Sequence, residues 1–260
     1  MKLKIINQTF IVINILNMQK SLYDQSTLTW SPQGRLYQVE YAMEAVNQGN
    51  LLIGVKSNTH VVLIGFKSAP NEKLSYFPEK LFKVSNHIGI GIAGLTPDGR
   101  LLYQYMKNQC LNYNYTFNAD YPIEKLVNKI AEKSQLKTQR GESKRPYGVG
   151  LLIAGFDMTG PRLFRTCPSA NFYEYNCVAI GSRCQAATSF LENNIDRLPN
   201  MSKDDLIKIG LEATKKAEDV KINGNNLDVI VVGKDETTKL LGVEEIDEYL
   251  KSIDNKMDLS

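Results

Sequence analysis

The chain has 260 residues, 43% of them apolar and 23% charged, with a formal net charge of +3. That length and apolar content allow a sizeable core and argue against disorder. The charge is too small, and the basic residues too scattered, to imply nucleic acid as a partner. Four cysteines without close paired spacing and only two histidines, His60 and His87, point to neither a zinc site nor a disulfide framework. Buried, reduced thiols in a cytosolic or nuclear protein are expected.

Residues 1–17 begin with two lysines and an apolar stretch, but asparagines interrupt it and no small-residue cleavage pattern follows. The stretch is too short and too polar to span a bilayer, so no membrane partner is expected. Met18 offers a second start, and the mature chain is expected to begin at or near it.

A helix is predicted over 34–48, introduced by Ser31-Pro32 and stopped by Gly49 through positive φ. Leu36, Val39, Met43 and Val46 recur at three- and four-residue steps and form its apolar face. Such a helix either covers its own core or docks on a neighbouring chain. Two apolar runs, Leu51–Val55 and Val61–Phe66, then flank the polar KSNTH and read as a hairpin of buried strands. Leu81–Val84 and Ile88–Ala93 give a second hairpin turning at Ser85-Asn86. Gly89, Gly91 and Gly94 there suggest close backbone approach and a tight exit, and their spacing matches no phosphate-binding fingerprint.

Two helices are predicted at 97–115 and 122–139, then a charged loop at 138–146 and a buried strand, YGVGLLIAGFD. Two or three short strands follow, then helices at about 183–195 and 202–217, the second starting at Ser202. NLDVIVVGK is a last buried strand, and 243–252 a last helix. Strands alternating with paired helices suggest two antiparallel sheets face to face with helices outside. No linker or repeat divides the chain. The expected organisation is a leader over 1–17, an N-terminal tail over 18–33, one domain over 34–253 and a flexible tail over 254–260.

Known reaction centres are not evident. Neither histidine lies beside a nucleophile motif, the cysteines show no pairing with a histidine, and no pair of carboxylates stands out. No metal and no cofactor are expected. A large core without a reaction centre suggests a subunit.

The segment YDQSTLTWSPQGRLYQVEYAMEAVNQG, residues 23–49, closely resembles the N-terminal signature of proteasome α subunits. The likeness continues through HIGIGIAGLTPDGRLL, RPYGVGLLIAGFD, CPSAN and AIGSRCQAATSFLE, and covers about residues 18 to 250. It implies the Ntn-hydrolase αββα sandwich with an extra N-terminal helix, here 34–48, which packs between α subunits and fills the groove that β subunits keep open.

The resemblance also implies an inert chain. Active β subunits are cut at a Gly-Thr junction, and the freed amine of the threonine activates its own hydroxyl. Here the junction is Gly49-Asn50, and the supporting acid position holds Phe66. Lys80 alone is retained. An active hydrolase of β type would need Thr, Ser or Cys at 50, and a free-standing binding module would leave the 34–48 helix unexplained.

By the same resemblance Lys80 lines the pocket that receives an activator's C-terminal tail, and Gly49 leaves room for it. Tyr23, Asp24, Pro32 and Tyr41 match the cluster that holds the open form of the gate. The family's arginine after the aspartate is replaced by Gln25, which removes one charge contact between neighbouring tails. The implied partners are other α subunits, the β ring, and an ATPase regulatory particle or other activators. The implied role is a non-catalytic structural and gating subunit of the 20S outer ring in mainly ubiquitin-dependent protein degradation, in cytoplasm and nucleus.

Overall fold

The computed structural model describes residues 23–257, apart from 69–77, 141–143, 221 and 235. The expected start at Met18, the leader over 1–17, residues 18–22 of the N-terminal tail and residues 258–260 of the expected tail over 254–260 lie outside the described residues. Helix α1 spans Tyr37–Asn47 and is followed by strands β1 (Leu52–Lys56), β2 (His60–Phe66), β3 (Leu81–Lys83) and β4 (Ile88–Gly94). Helices α2 (Thr96–Phe117) and α3 (Ile123–Gln139) come next, then β5 (Val149–Asp157), β6 (Gly160–Thr166), β7 (Phe172–Glu174) and β8 (Cys177–Ile180). The chain continues through α4 (Cys184–Glu192), a 3-10 turn at Ile195–Asn200, α5 (Lys203–Ala217), β9 (Leu227–Gly233), β10 (Glu236–Leu240) and α6 (Val243–Met257).

The strands form two five-stranded antiparallel sheets, ordered β10-β9-β2-β1-β8 and β3-β4-β5-β6-β7. Alternation in β2 shows how one strand serves two layers. Val61 and Leu63 face the other sheet, whereas Val62, Ile64 and Phe66 face the helices. Strand β9 divides the same way, with Ile230 and Val232 inward and Val229 and Val231 toward the helices. Helices α4, α5 and α6 cover the first sheet, and α2 and α3 cover the second. Each fully buried aliphatic side chain contributes about 1.5–3 kcal/mol, so these continuous apolar runs hold the four layers together. The architecture is the expected α+β sandwich of two sheets between helical layers.

Several local expectations need correction. Helix α1 starts at Tyr37, not 34, and Ser31 does not cap it. Ser31 instead closes a turn ahead of the helix, its hydroxyl accepting from Arg35 N at 3.1 Å. Met43 is 43% exposed, and the buried face is Tyr37, Val39, Ala42 and Val46. A one-residue offset on the wheel swaps Met43 for Ala42, the residue that fits a close helix–sheet approach. Strand β10 escaped the periodicity because only Thr238 of Glu-Thr-Thr-Lys-Leu is buried, and edge pairing to β9 makes the strand. Helix α6 runs to Met257, past the predicted end at 252, and takes in 254–257 of the expected flexible tail. All four cysteines are free, but only Cys110 is buried, and burial pushes its thiol up to about 12. Ser202 does cap α5, accepting from Asp205 N. Among the described residues no helix is long and apolar enough to cross a membrane.

Candidate functional site

The junction at residues 49 and 50 sits where α1 meets β1. Helix α1 rests on the ends of β4 and β5, with Val46 reaching the core between the sheets. A Cβ on Gly49 would stand 2.2 Å from Gly94 N and 3.0 Å from Val46 O. Gly49 is not in the positive-φ region, contrary to the helix-stop reading. It is glycine because another backbone passes where its side chain would be. Gly94 does have a positive φ of 104°, as its tight exit from β4 requires, and its own Cβ would meet Gly148 O at 2.5 Å.

A second backbone closes the other side. Ser182 N donates to Gly49 O at 2.6 Å, and Gly181, at φ 94°, would carry a Cβ 2.4 Å from Asn50 O. The 49–50 peptide is thus enclosed between Gly94 and Gly181. Asn50 donates from its amide to Ser68 Oγ at 3.0 Å. It offers no hydroxyl, no thiol and no free amine, the groups that a self-activating nucleophile needs.

The three positions compared with an active site do converge. Phe66 N donates to Leu51 O at 2.9 Å, which sets Phe66 beside residue 50. Its ring is packed in the core between sheet and helices, where a carboxylate would be costly. A Cβ on Gly65 would lie 3.1 Å from Lys80 Cβ, so Lys80 borders the same end of the sandwich. The acid that stands here is Asp228 of β9, which sequence reasoning passed over. Its signal was a lone charge inside an apolar strand. Asp228 takes Lys67 Nζ at 2.8 Å and the backbone N–H of Lys80 at 3.0 Å, so both oxygens are engaged.

Lys80 is only 8% exposed, and its ammonium has no hydrogen bond or ion pair among the described residues. Burial holds it below the ordinary lysine range, the nearby Arg100 charge acts in the same direction and Asp228 opposes both. A desolvated ammonium with no bonded acid among the described residues is suited to an external anion.

Of the four gate positions, the structure joins two. Asp24 lies against α1, its carbonyl accepting from Gln38 Nε2 and its charge acting on the Tyr41 phenol. Burial, then the Asp24 charge, raises the Tyr41 phenol. Tyr41 stacks on Tyr37 with centroids 6.3 Å apart. Tyr23 is half-buried and Pro32 is exposed, and no hydrogen bond links Tyr23 to the Asp24–Tyr41 pair among the described residues. Gln25 is exposed.

The histidines are structural. His60 starts β2 at the far end of the β1–β2 hairpin from residue 50, with Nδ1 2.9 Å from Thr59 Oγ1. His87 Nε2 donates to Tyr121 O at 2.9 Å, tying the β3–β4 turn to the start of α3. Among the described residues no group of three His, Cys, Asp or Glu could hold a metal.

Comparison with known proteins agrees with this geometry. A family model described as "Proteasome subunit" matches residues 46–232, and a second model, for the N-terminal signature of A-type proteasome subunits, matches 23–45. The chain belongs to the proteasome α-subunit family. "Proteasome subunit alpha type-1" of Dictyostelium discoideum is 41% identical over 242 residues, covering 92% of this chain and 97% of that protein. "Probable proteasome subunit alpha type-6" of Schizosaccharomyces pombe is 41% identical over 241 residues, covering 92% and 88%. "Proteasome subunit alpha type-6" of Saccharomyces cerevisiae is 39% identical over 236 residues, covering 90% and 100%.

As a proteasome α subunit the chain is a non-catalytic member of the outer ring of the 20S core. The N-terminal signature covers the tail from Tyr23 and α1 as far as Ala45, and the broader match takes over at Val46, where α1 enters the core. Assembly with sister α subunits and with β subunits follows from membership in the particle.

Proposed function

We propose that this proteasome α subunit docks the C-terminal tails of activators at Lys80 and takes part in opening and closing the pore. It occupies the position held by alpha type-1 subunits, the sixth around the ring, a placement supported by WSPQGR, RPYGVGLLIAG and TCPSAN and by the relatives named above. It serves mainly ubiquitin-dependent degradation in the cytoplasm and nucleus, with an ATPase regulatory particle or other activators as partners.

One observation carries the reading: Lys80 is 8% exposed, its backbone N–H is held by Asp228, and its ammonium has no hydrogen bond or ion pair among the described residues. A terminal carboxylate entering there forms a charge-assisted bond at a site already desolvated. Gly49 has two reasons to lack a side chain, the contact with Gly94 and room for the incoming tail. The Asp24–Tyr41 contact supports a tail held against α1, and Gln25 lessens its grip on neighbouring tails. Lys80→Ala in assembled particles is expected to weaken activator-stimulated peptide hydrolysis while leaving ring assembly intact. A charge-assisted bond of roughly 1.5–3 kcal/mol corresponds to about one to two decades in activator affinity. Unchanged stimulation by every tail-bearing activator would overturn the proposal.

A further inference from the structure

We propose that Arg100 is the second cation of the Lys80 pocket, and that the two together take a free terminal carboxylate, Lys80 from within the fold and Arg100 from the rim. The inference rests on the docking role given to Lys80 above. Its basis is the way two distant segments meet at Ile92. Lys80 lies opposite Ile92 across the β3–β4 pair, and Ile92 N donates to Lys80 O at 3.0 Å. From the other side, a Cβ on Gly99 would stand 2.5 Å from Ile92 Cγ2, so the first turn of α2 sits on the same residue. Arg100 is the next residue, and it is exposed. Lys80 and Arg100, twenty positions apart, are thus brought to one sheet edge by a single isoleucine.

Neither cation has an acid bonded to its charged end among the described residues. Asp228 is engaged by Lys67 and by the Lys80 backbone. Asp98, the acid in the first turn of α2, is committed to Arg145 at 2.5 and 2.9 Å and to Gly148 N at 3.0 Å. No hydrogen bond or ion pair engages the charged end of Lys80 or of Arg100 among the described residues. The two charges act on each other, and Arg100 lowers the affinity of Lys80 for its proton. Two like charges that act on each other, opposed only by an Asp228 already engaged elsewhere, favour an anion at the edge they share. A carboxylate has two oxygens, and guanidinium geometry suits one while the ammonium acts on the other as a point charge.

The test uses assembled 20S particles carrying Arg100→Gln, Arg100→Lys or Lys80→Ala. The probes are short synthetic peptides with a photoreactive residue, made as the free acid, as the C-terminal amide, and as an amide ending in glutamate. Only cross-links to this chain are quantified by mass spectrometry, so the other pockets of the ring do not mask the result. For the free acid, Arg100→Gln is expected to raise the half-saturating concentration about three- to fivefold, the range of an exposed charge pair. Arg100→Lys recovers part of the loss, and both amides bind weakly whatever stands at 100. If Arg100→Gln changes nothing while Lys80→Ala abolishes cross-linking, the role of Arg100 falls and the docking role of Lys80 stands. If neither variant changes the free acid, both fall. Binding of the glutamate amide as tightly as the free acid would overturn the terminal-carboxylate assignment.

Discussion

Strand β1 runs from a junction sealed by main chain to a turn sealed by side chains, and the two ends differ in what they tolerate. At the Gly49–Asn50 end, Gly49, Gly94 and Gly181 bring backbone against backbone at distances that leave no room for a methyl group. At the Lys56–His60 end, Ser57 Oγ accepts from His60 N at 3.1 Å, Lys56 pairs with Glu174 at 3.0 Å, and the His60 ring covers Gly233. Side chains can turn aside, whereas a carbonyl inside a sheet cannot. The lesson is that inertness at residue 50 is built into the fold around it as well as into the residue itself.

The largest expected effect breaks the sealed end. Gly94→Ala places a methyl 2.5 Å from Gly148 O at a φ of 104°. Left-handed strain and overpacking together are expected to cost about 3 kcal/mol or more, read as a lowered melting temperature and poor incorporation into rings. At the opposite end, Ser57→Ala removes the hydroxyl that collects the turn N–H groups and should cost only about 1 kcal/mol by denaturant unfolding. Equal losses would mean that the two ends are not sealed differently.

Acid should separate the ends by pH. Burial lowers the His60 pKa, with Glu236 opposing and Lys203 adding to the shift, so the folded state binds fewer protons there than the unfolded chain. Stability from His60 is present above the unfolded value near 6.5 and is lost as pH falls from there. Asp98 is also lowered, chiefly by its bond to Arg145, with burial opposing and Gly148 N assisting. Its contribution holds down to about pH 4 and is lost only below that. Hydrogen exchange should therefore rise first around residues 57–60 between about pH 7 and 5.5, with the Leu95–Gly148 region protected until far lower pH. His60→Gln should abolish the early step, and persistence of that step would show that another group causes it.

The smallest expected effect sharpens the point most. Asn50→Thr restores the residue type of a cleavable junction, yet α1 still runs into it and two backbones still enclose the peptide. The intact mass should match the full-length variant, with no new N-terminus at residue 50. Appearance of that product would show that residue type alone keeps the chain silent.

Much of this was open to reading along the chain. Apolar runs at 51–55, 61–66, 88–93 and 227–233 announced buried strands, and the helix pairs between them announced the layers, because period and burial are local signals. The segment from Tyr23 carries the family likeness, and Asn50 and Phe66 already argued against catalysis. Other features depended on partners far away in sequence. Gly49 reads as a helix stop, but Gly94, forty-five residues on, is what requires it. Asp228 looks like a stray charge until Lys67 and Lys80 close on it, and Gly99 looks like a flaw in a helix until Ile92 packs against it. Glu236–Leu240 has no strand pattern of its own, and β9 makes it one. Local periodicity records which face of an element is apolar, and so the sequence determined the elements and their order. What each glycine and each charge is for was decided by close approach between segments that only the tertiary structure brings together.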